Sequence, residues 1–178
     1  MPNEKHFFYP DSRDDMWNVE CESLIPYLRG NGVDIGSGTR SIFKEDMRVD
    51  ADEKTNPQFS DRGDKLPFED GKFDYLYSIH SFEHFDDQEK TINEWIRVIK
   101  RGGIIAIVHP DIEFTGPQLP ADANPDKNPF NKHTFERTYA QFMDWLKLHN
   151  YFNLKLLDSG VACGHWSFYV ILKKNGLS

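Results

Sequence analysis

The chain has 178 residues, with 29 acidic against 21 basic side chains, a formal net charge of −8 and two cysteines. That length suits one domain over residues 1–178, with a core large enough to need no disulfide or metal staple. The acidic balance, with no basic run longer than a pair, excludes a charge-driven grip on nucleic acid or an acidic membrane.

Near the N-terminus, Trp17, Cys21, Leu24 and Leu28 recur at helical spacing. Ser12 and Asp15 ahead of them form a capping-box pattern, so a helix is expected from Met16 to Leu28. Cys21 and Cys163 lack zinc-site spacing and read as free thiols. The leader "MPNEKHFFYPDSRDD" resembles no export signal, and no apolar run reaches membrane length, so the expectation is a soluble, cytoplasmic protein.

Gly30-Asn31-Gly32 ends the helix, and Val33 to Ile35 reads as a short buried strand running into a glycine turn, "VDIGSGTR". A second short strand ends near Asp50. Residues 55–64, "TNPQFSDRGD", show no countable period, so the helix and third strand of a full doubly wound fold are expected to be reduced there. Tyr75 to Ile79 reads as a central strand with "HSFEHFDD" as its outgoing turn. Asp86 and Glu89 resemble a cap for a helix carrying Ile92, Trp95, Ile96 and Ile99 on one face. Arg101-Gly102-Gly103 stops that helix, and "IIAIV" is the most strand-like run in the chain.

Residues 110–132 form a long loop of the length that tends to carry function. Phe135, Tyr139, Phe142 and Leu146 mark another helix, and "NLKLLDSG" and "HWSFYVILKK" are two closing strands with no helix between them. The order predicts an α/β, Rossmann-like three-layer sandwich, a mostly parallel sheet with an antiparallel C-terminal hairpin, reduced around the third strand. Trp17, Trp95, Trp145 and Trp166 are expected mainly in the core.

In open α/β sheets, ligands bind at the carboxyl ends of the strands. Gly36 and Gly38 would let backbone approach a ligand there, but Ser41 stands where a dinucleotide fingerprint has its third glycine. Asp34 would repel a phosphate and accommodate a cationic amine, so the turn suits a nucleoside with a zwitterionic tail. Asp50 stands where a carboxylate can accept both ribose hydroxyls.

At this point the sequence resembles a class I S-adenosylmethionine-dependent methyltransferase of the small group related to the ubiquinone-biosynthesis type. Four elements carry the resemblance in order: "VDIGSG", "VDADE", "LPFEDGKFDYLYSIHSFEHF" and "WIRVIKRGGIIAIVHPD". They cover residues 33–111. The resemblance implies S-adenosylmethionine as cofactor, with Asp34, Gly36, Ser37 and Gly38 around its methionine moiety and Asp50 on its ribose. Asp64, Lys65 and Leu66 would lie near adenine, with Asp61 competing for the role of Asp64, and Ile79 and His80 would close the site under the sulfonium. Arg40 replaces the third glycine often found in such a motif.

Methyl transfer from a sulfonium needs orientation and a dry site, and a base only where the acceptor must lose a proton. His80, His109 and Asp111 follow strand ends and are the catalytic candidates. The acceptor is expected to be a small molecule, with a sugar or glycan intermediate as one guess. Phe7, Phe8 and Tyr9 are candidates for an N-terminal flap. No metal is expected, because His80 and His84 lie in a turn with Glu83 between them and form no recognisable ligand set. The competing readings are a non-catalytic cofactor-binding module and an NAD-dependent oxidoreductase; Ser41 and Asp34 count against the latter.

Overall fold

In the computed structural model, residues 15–117, 132–149, 151, 153–164 and 166–176 are described. Seven strands form one sheet: β1 (Gly32–Ile35), β2 (Met47–Asp50), β3 (Phe59–Ser60), β4 (Phe73–Ile79), β5 (Ile99–Pro110), β6 (Leu154–Cys163) and β7 (Ser167–Lys174). Their spatial order is β3-β2-β1-β4-β5-β7-β6. The first five pair in parallel, and β7 runs antiparallel to both β5 and β6. The chain therefore reverses at β1, and the step from β1 across to β4 leaves a crevice at the carboxyl ends of those strands. Helices cover both faces: α1 (Asp15–Leu24) on one, α2 (Gln88–Val98) and α4 (Tyr139–His149) on the other, with a single-turn α3 (Ile112–Thr115) after β5.

Strand alternation divides the core in two. Val33, Ile35, Leu76, Ile105, Ile107 and Val170 point toward α2 and α4, where they meet Phe82, Trp95 and Phe142. Tyr75, Tyr77, Ala106, Val108 and Ile171 point toward Cys21 and Leu24 of α1. Helix α2 forms because its apolar side buries Ile92, Trp95, Ile96 and Val98, and because Asp87 caps its start by accepting from Lys90 N at 2.9 Å. The cap is thus Asp87 and not Asp86, which instead pairs with Arg62 at 3.2 Å. Helix α1 ends earlier than expected, since Pro26 turns residues Ile25–Tyr27 into a single 3-10 turn. Strand β5 begins at Ile99, directly after α2; residues 100–103, with Gly102 at φ 77°, bulge out before the ladder resumes at Ile104. Phe135 lies outside α4, and Trp166 is 46% exposed rather than in the core.

The reduced region is held by side chains in place of helices. Between β2 and β4 the described elements are a 3-10 turn (Glu53–Thr55) and the two-residue β3. The Arg48 guanidinium donates to the carbonyls of Thr55 and Asn56, each at 2.7 Å. Arg97 donates to those of Phe68 at 2.6 Å and Leu66 at 3.1 Å, and Trp95 Nε1 to that of Gly63 at 2.9 Å. The last of these bonds, from α2, fixes Gly63 beside the crevice. No helix among the described residues is long and apolar enough to cross a membrane.

Candidate functional site

A cleft of about 370 Å³ opens at the carboxyl ends of β1, β2 and β4. Its floor is the glycine turn. Gly36 and Gly38 take φ of 73° and 54°, a region costly for residues bearing a Cβ. The amides of Gly36 and Ser37 donate to Val49 O at 2.8 and 3.2 Å, and Gly38 N donates to Asp50 Oδ2 at 2.7 Å. The other oxygen of Asp50 accepts from Asp52 N at 2.8 Å, and its carbonyl accepts from Asp61 N at 3.0 Å. Residues 39–46 form turns rather than a helix. The turn therefore gains no helix N-terminus, and the end of β2 braces it instead. The two glycines also differ. A Cβ on Gly36 would lie 2.1 Å from Ser81 Oγ, whereas one on Gly38 would meet nothing within 4 Å among the described residues.

The wall opposite comes from the end of β4 and the turn after it. His80 adopts φ 51°, a strained conformation for a residue with a side chain. It is anchored by its amide, which donates to Val108 O at 3.1 Å, and by Nε2, which lies 2.7 Å from Glu20 Oε1. The same carboxylate oxygen accepts from Ser167 Oγ, so α1, β4 and β7 meet at Glu20. Burial works to depress the His80 pKa, but the Glu20 bond and the charges of Glu83 and Glu20 outweigh it and raise the pKa.

Among the residues singled out in the sequence, Gly36, Gly38, Asp50 and His80 border this cleft. Asp61 borders it too, while Asp64 is drawn off to Lys90 at 3.1 Å and Leu66 N donates to Glu94 at 2.6 Å. Lys65 is exposed outside the cleft; Ser37 and Ile79 are also not on its wall. Asp34 is buried on the α1 side of the sheet, opposite Val33 and Ile35, with Tyr77 as its register neighbour on β4. Burial drives its pKa well above the ordinary carboxylate value, and the nearby Ser41 and Tyr77 hydroxyls offset only part of this.

His109 is fully buried, stacked on Phe168 with ring centroids 5.2 Å apart, and its Nδ1 donates to Pro110 O at 2.7 Å. Burial lowers its pKa. The Asp111 carboxylate caps α3 through Glu113 N at 3.0 Å and accepts from Tyr139 N at 3.2 Å. Both residues are thus built into the core behind the cleft. Sequence reasoning did not single out Asp52, Arg62 or Ser81, which the fold brings to the wall. Their signal was position alone, just beyond a strand end or a bracing carboxylate. Phe7, Phe8, Tyr9, Ser12, His165 and most of the loop after β5 lie outside the described residues.

With this geometry established, similarity to known proteins is informative. Residues 31–107 match the family model described as a methyltransferase domain. An uncharacterised protein of Methanocaldococcus jannaschii is 27% identical over 159 residues, covering 82% of this chain and 76% of that one. Tocopherol O-methyltransferase of Arabidopsis thaliana is 31% identical over 121 residues, covering 64% of this chain but 32% of that protein. Among solved structures, a Thermotoga maritima protein described as an S-adenosylmethionine-dependent methyltransferase, possibly acting on histamine nitrogen, superposes with a TM-score of 0.64. It has 21% identity, covering 90% of this chain and 89% of the other.

Proposed function

We propose that the chain is a class I S-adenosylmethionine-dependent methyltransferase and that it methylates a small-molecule acceptor in the cleft at the ends of β1, β2 and β4. The methyltransferase-domain match over residues 31–107 and the shared fold support this reading. The observation that carries this reading is the braced turn. Asp50 holds Gly38 and Asp52 with one lone pair on each oxygen, and the cleft-facing lone pairs remain for the two ribose hydroxyls. Open space over Gly38 fits a ligand lying against the backbone. A volume near 370 Å³ falls in the range of small-molecule sites, which runs from about 300 to about 1,000 Å³.

The residues then divide the work by position. Asp50 binds ribose, and Asp61, held by Gly63 N at 3.3 Å, accepts from the adenine amine. Phe85 supplies an apolar wall. His80, locked by Glu20, orients the acceptor; His109 and Asp111 hold the elements that carry the site. When bound, S-adenosylmethionine supplies an electrophilic methyl group whose transfer leaves a neutral thioether. Orientation and water exclusion by the protein lower the barrier without a covalent enzyme intermediate. The tocopherol and histamine named for two relatives are small molecules, which supports the acceptor class.

Calorimetry with S-adenosylmethionine, S-adenosylhomocysteine and NAD tests the cofactor reading. The first two should bind and NAD should not. Asp50→Ala should weaken S-adenosylhomocysteine by about one to two decades, the cost of losing a charged acceptor. Unchanged affinity in that variant would remove Asp50 from the site. Labelled methyl donor with a panel of small phenols, amines and sugars then tests turnover, and transfer to none of them would sink the acceptor class.

A further inference from the structure

Beside the cleft, the turn after β4 meets a segment almost fifty residues further along the chain. Thr134 N and Phe135 N donate to Glu83 O at 2.8 and 3.2 Å, and Thr134 Oγ1 lies 3.3 Å from His84 O. These bonds set His133 against His84, with ring centroids 4.9 Å apart. Glu83, His84 and His133 each place one potential ligand atom within 4.8 Å of the others. From these positions we propose that Glu83, His84 and His133 bind a divalent transition-metal ion, zinc being the best match, at the rim of the cleft.

Three observations converge on a ligand. First, Glu83 is 1% exposed, and its Oε2 has no hydrogen-bond partner among the described residues. Its Oε1 is 3.9 Å from both His84 Nε2 and His80 Nδ1, beyond hydrogen-bond reach. A buried carboxylate left in that state is costly, and a cation between these groups would remove the cost.

Second, both imidazoles are already oriented. His84 Nδ1 lies 3.1 Å from Lys132 O, and His133 Nδ1 lies 3.1 Å from Glu136 Oε1. A carbonyl or carboxylate only accepts, so Nδ1 donates in each ring and Nε2 is the nitrogen that would ligate a metal. Histidines that ligate metals are usually held this way by an outer partner.

Third, two histidines and one carboxylate form a known zinc donor set that leaves one coordination position for water or a donor atom of a bound molecule. Ligands about 2.0–2.1 Å from one tetrahedral ion sit roughly 3.4 Å apart, so side-chain rotations of about an ångström would close the set. His84 itself borders the cleft, so that open position would lie at its edge. The expectation of no metal overlooked this set because His133 is distant in sequence.

The test is independent of methyl transfer. Chelator-treated protein is titrated with zinc against a chromophoric competitor, and with cobalt while visible absorption is followed. The expected result is one tight equivalent per chain with a tetrahedral cobalt spectrum. Affinity should drop at least about tenfold in His84→Ala and in His133→Ala, and stay unchanged in His149→Ala. Glu83→Gln, which keeps shape and burial, should lose affinity too, and circular dichroism checks that each variant is folded. Absence of binding by the wild type, or equal binding by His84→Ala and His133→Ala, would overturn the site and leave the cofactor reading untouched.

Discussion

The two glycines of the turn make separable predictions. In Gly38→Ala the new methyl group meets no atom of the described residues within 4 Å, so the folded state loses only what a side chain costs at φ 54°. That strain is about 1–2 kcal/mol. In Gly36→Ala the same type of strain applies, but the Cβ also falls 2.1 Å from Ser81 Oγ and 2.3 Å from Ser81 Cβ, well inside the 3.0 Å that real Cβ atoms keep. Relieving such an overlap adds about 1–3 kcal/mol, giving about 2–5 kcal/mol in total. Denaturant titration measures the stabilities, and calorimetry measures S-adenosylhomocysteine affinity. Gly38→Ala should remain folded yet bind at least about tenfold more weakly, because its methyl occupies space assigned to the ligand. Gly36→Ala should be the less stable protein, and adding Ser81→Gly should recover much of the overlap component. Native affinity in Gly38→Ala would show that the cofactor does not cross the turn. A double variant no more stable than Gly36→Ala would show that Ser81 is not what excludes a side chain at position 36.

Two buried ionisable groups should shape stability with opposite signs. Asp34 has a raised folded pKa, so its contribution declines as pH climbs above the unfolded carboxylate value of about 3.9. Asp34→Asn should therefore raise the melting temperature near pH 7, with the gain fading toward pH 4; equal melting at both pH values would refute the buried-charge account. His109 has a lowered folded pKa, so stability is lost as pH falls below about 6.5. His109→Phe should flatten the acid side of the melting profile between about pH 6.5 and 5, and an unchanged slope would show that His109 is not responsible. Finally, Asp50, Asp52, Asp61 and Asp86 outnumber Arg62 and Lys132 around the cleft, so a cationic sulfonium should be favoured over its neutral product. Raising salt, which shortens screening from about 30 Å at 0.01 M to about 3 Å at 1 M, should weaken S-adenosylmethionine more than S-adenosylhomocysteine. Parallel salt dependence of the two would argue against that preference.

How far these features could be read from sequence depends on whether their cause is local. The strand into Gly36 was legible because a short apolar run and a glycine-rich turn are both local constraints, and the closing hairpin because two β-prone runs had no helix between them. Asp34 was read toward the ligand because it precedes the turn. Yet alternation sends neighbouring side chains to opposite faces, and the pairing of Val33 with Leu76 and of Asp34 with Tyr77 on β4 fixes Asp34 on the α1 side. Asp111 follows a strand as His80 does, whereas β5 runs on through His109; β7 and α4 pack over both, and neither contact has a signature near residue 109.

The absent helix after the glycine turn has a comparable consequence. A full doubly wound fold holds that turn by continuing it into a helix, whereas here Asp50 ties together Gly38, Asp52 and Asp61. The bond to Asp61 is made by the main-chain carbonyl, so the carboxylate couples the glycine turn to the segment just after β2, and binding and local rigidity there must respond together when it is changed. Asp50→Asn keeps an acceptor oxygen but loses the charge and one brace, and should fall between wild type and Asp50→Ala in both affinity and stability. A variant that lost affinity with wild-type stability would mean that the backbone holds the turn unaided, and that Asp50 serves the ligand alone.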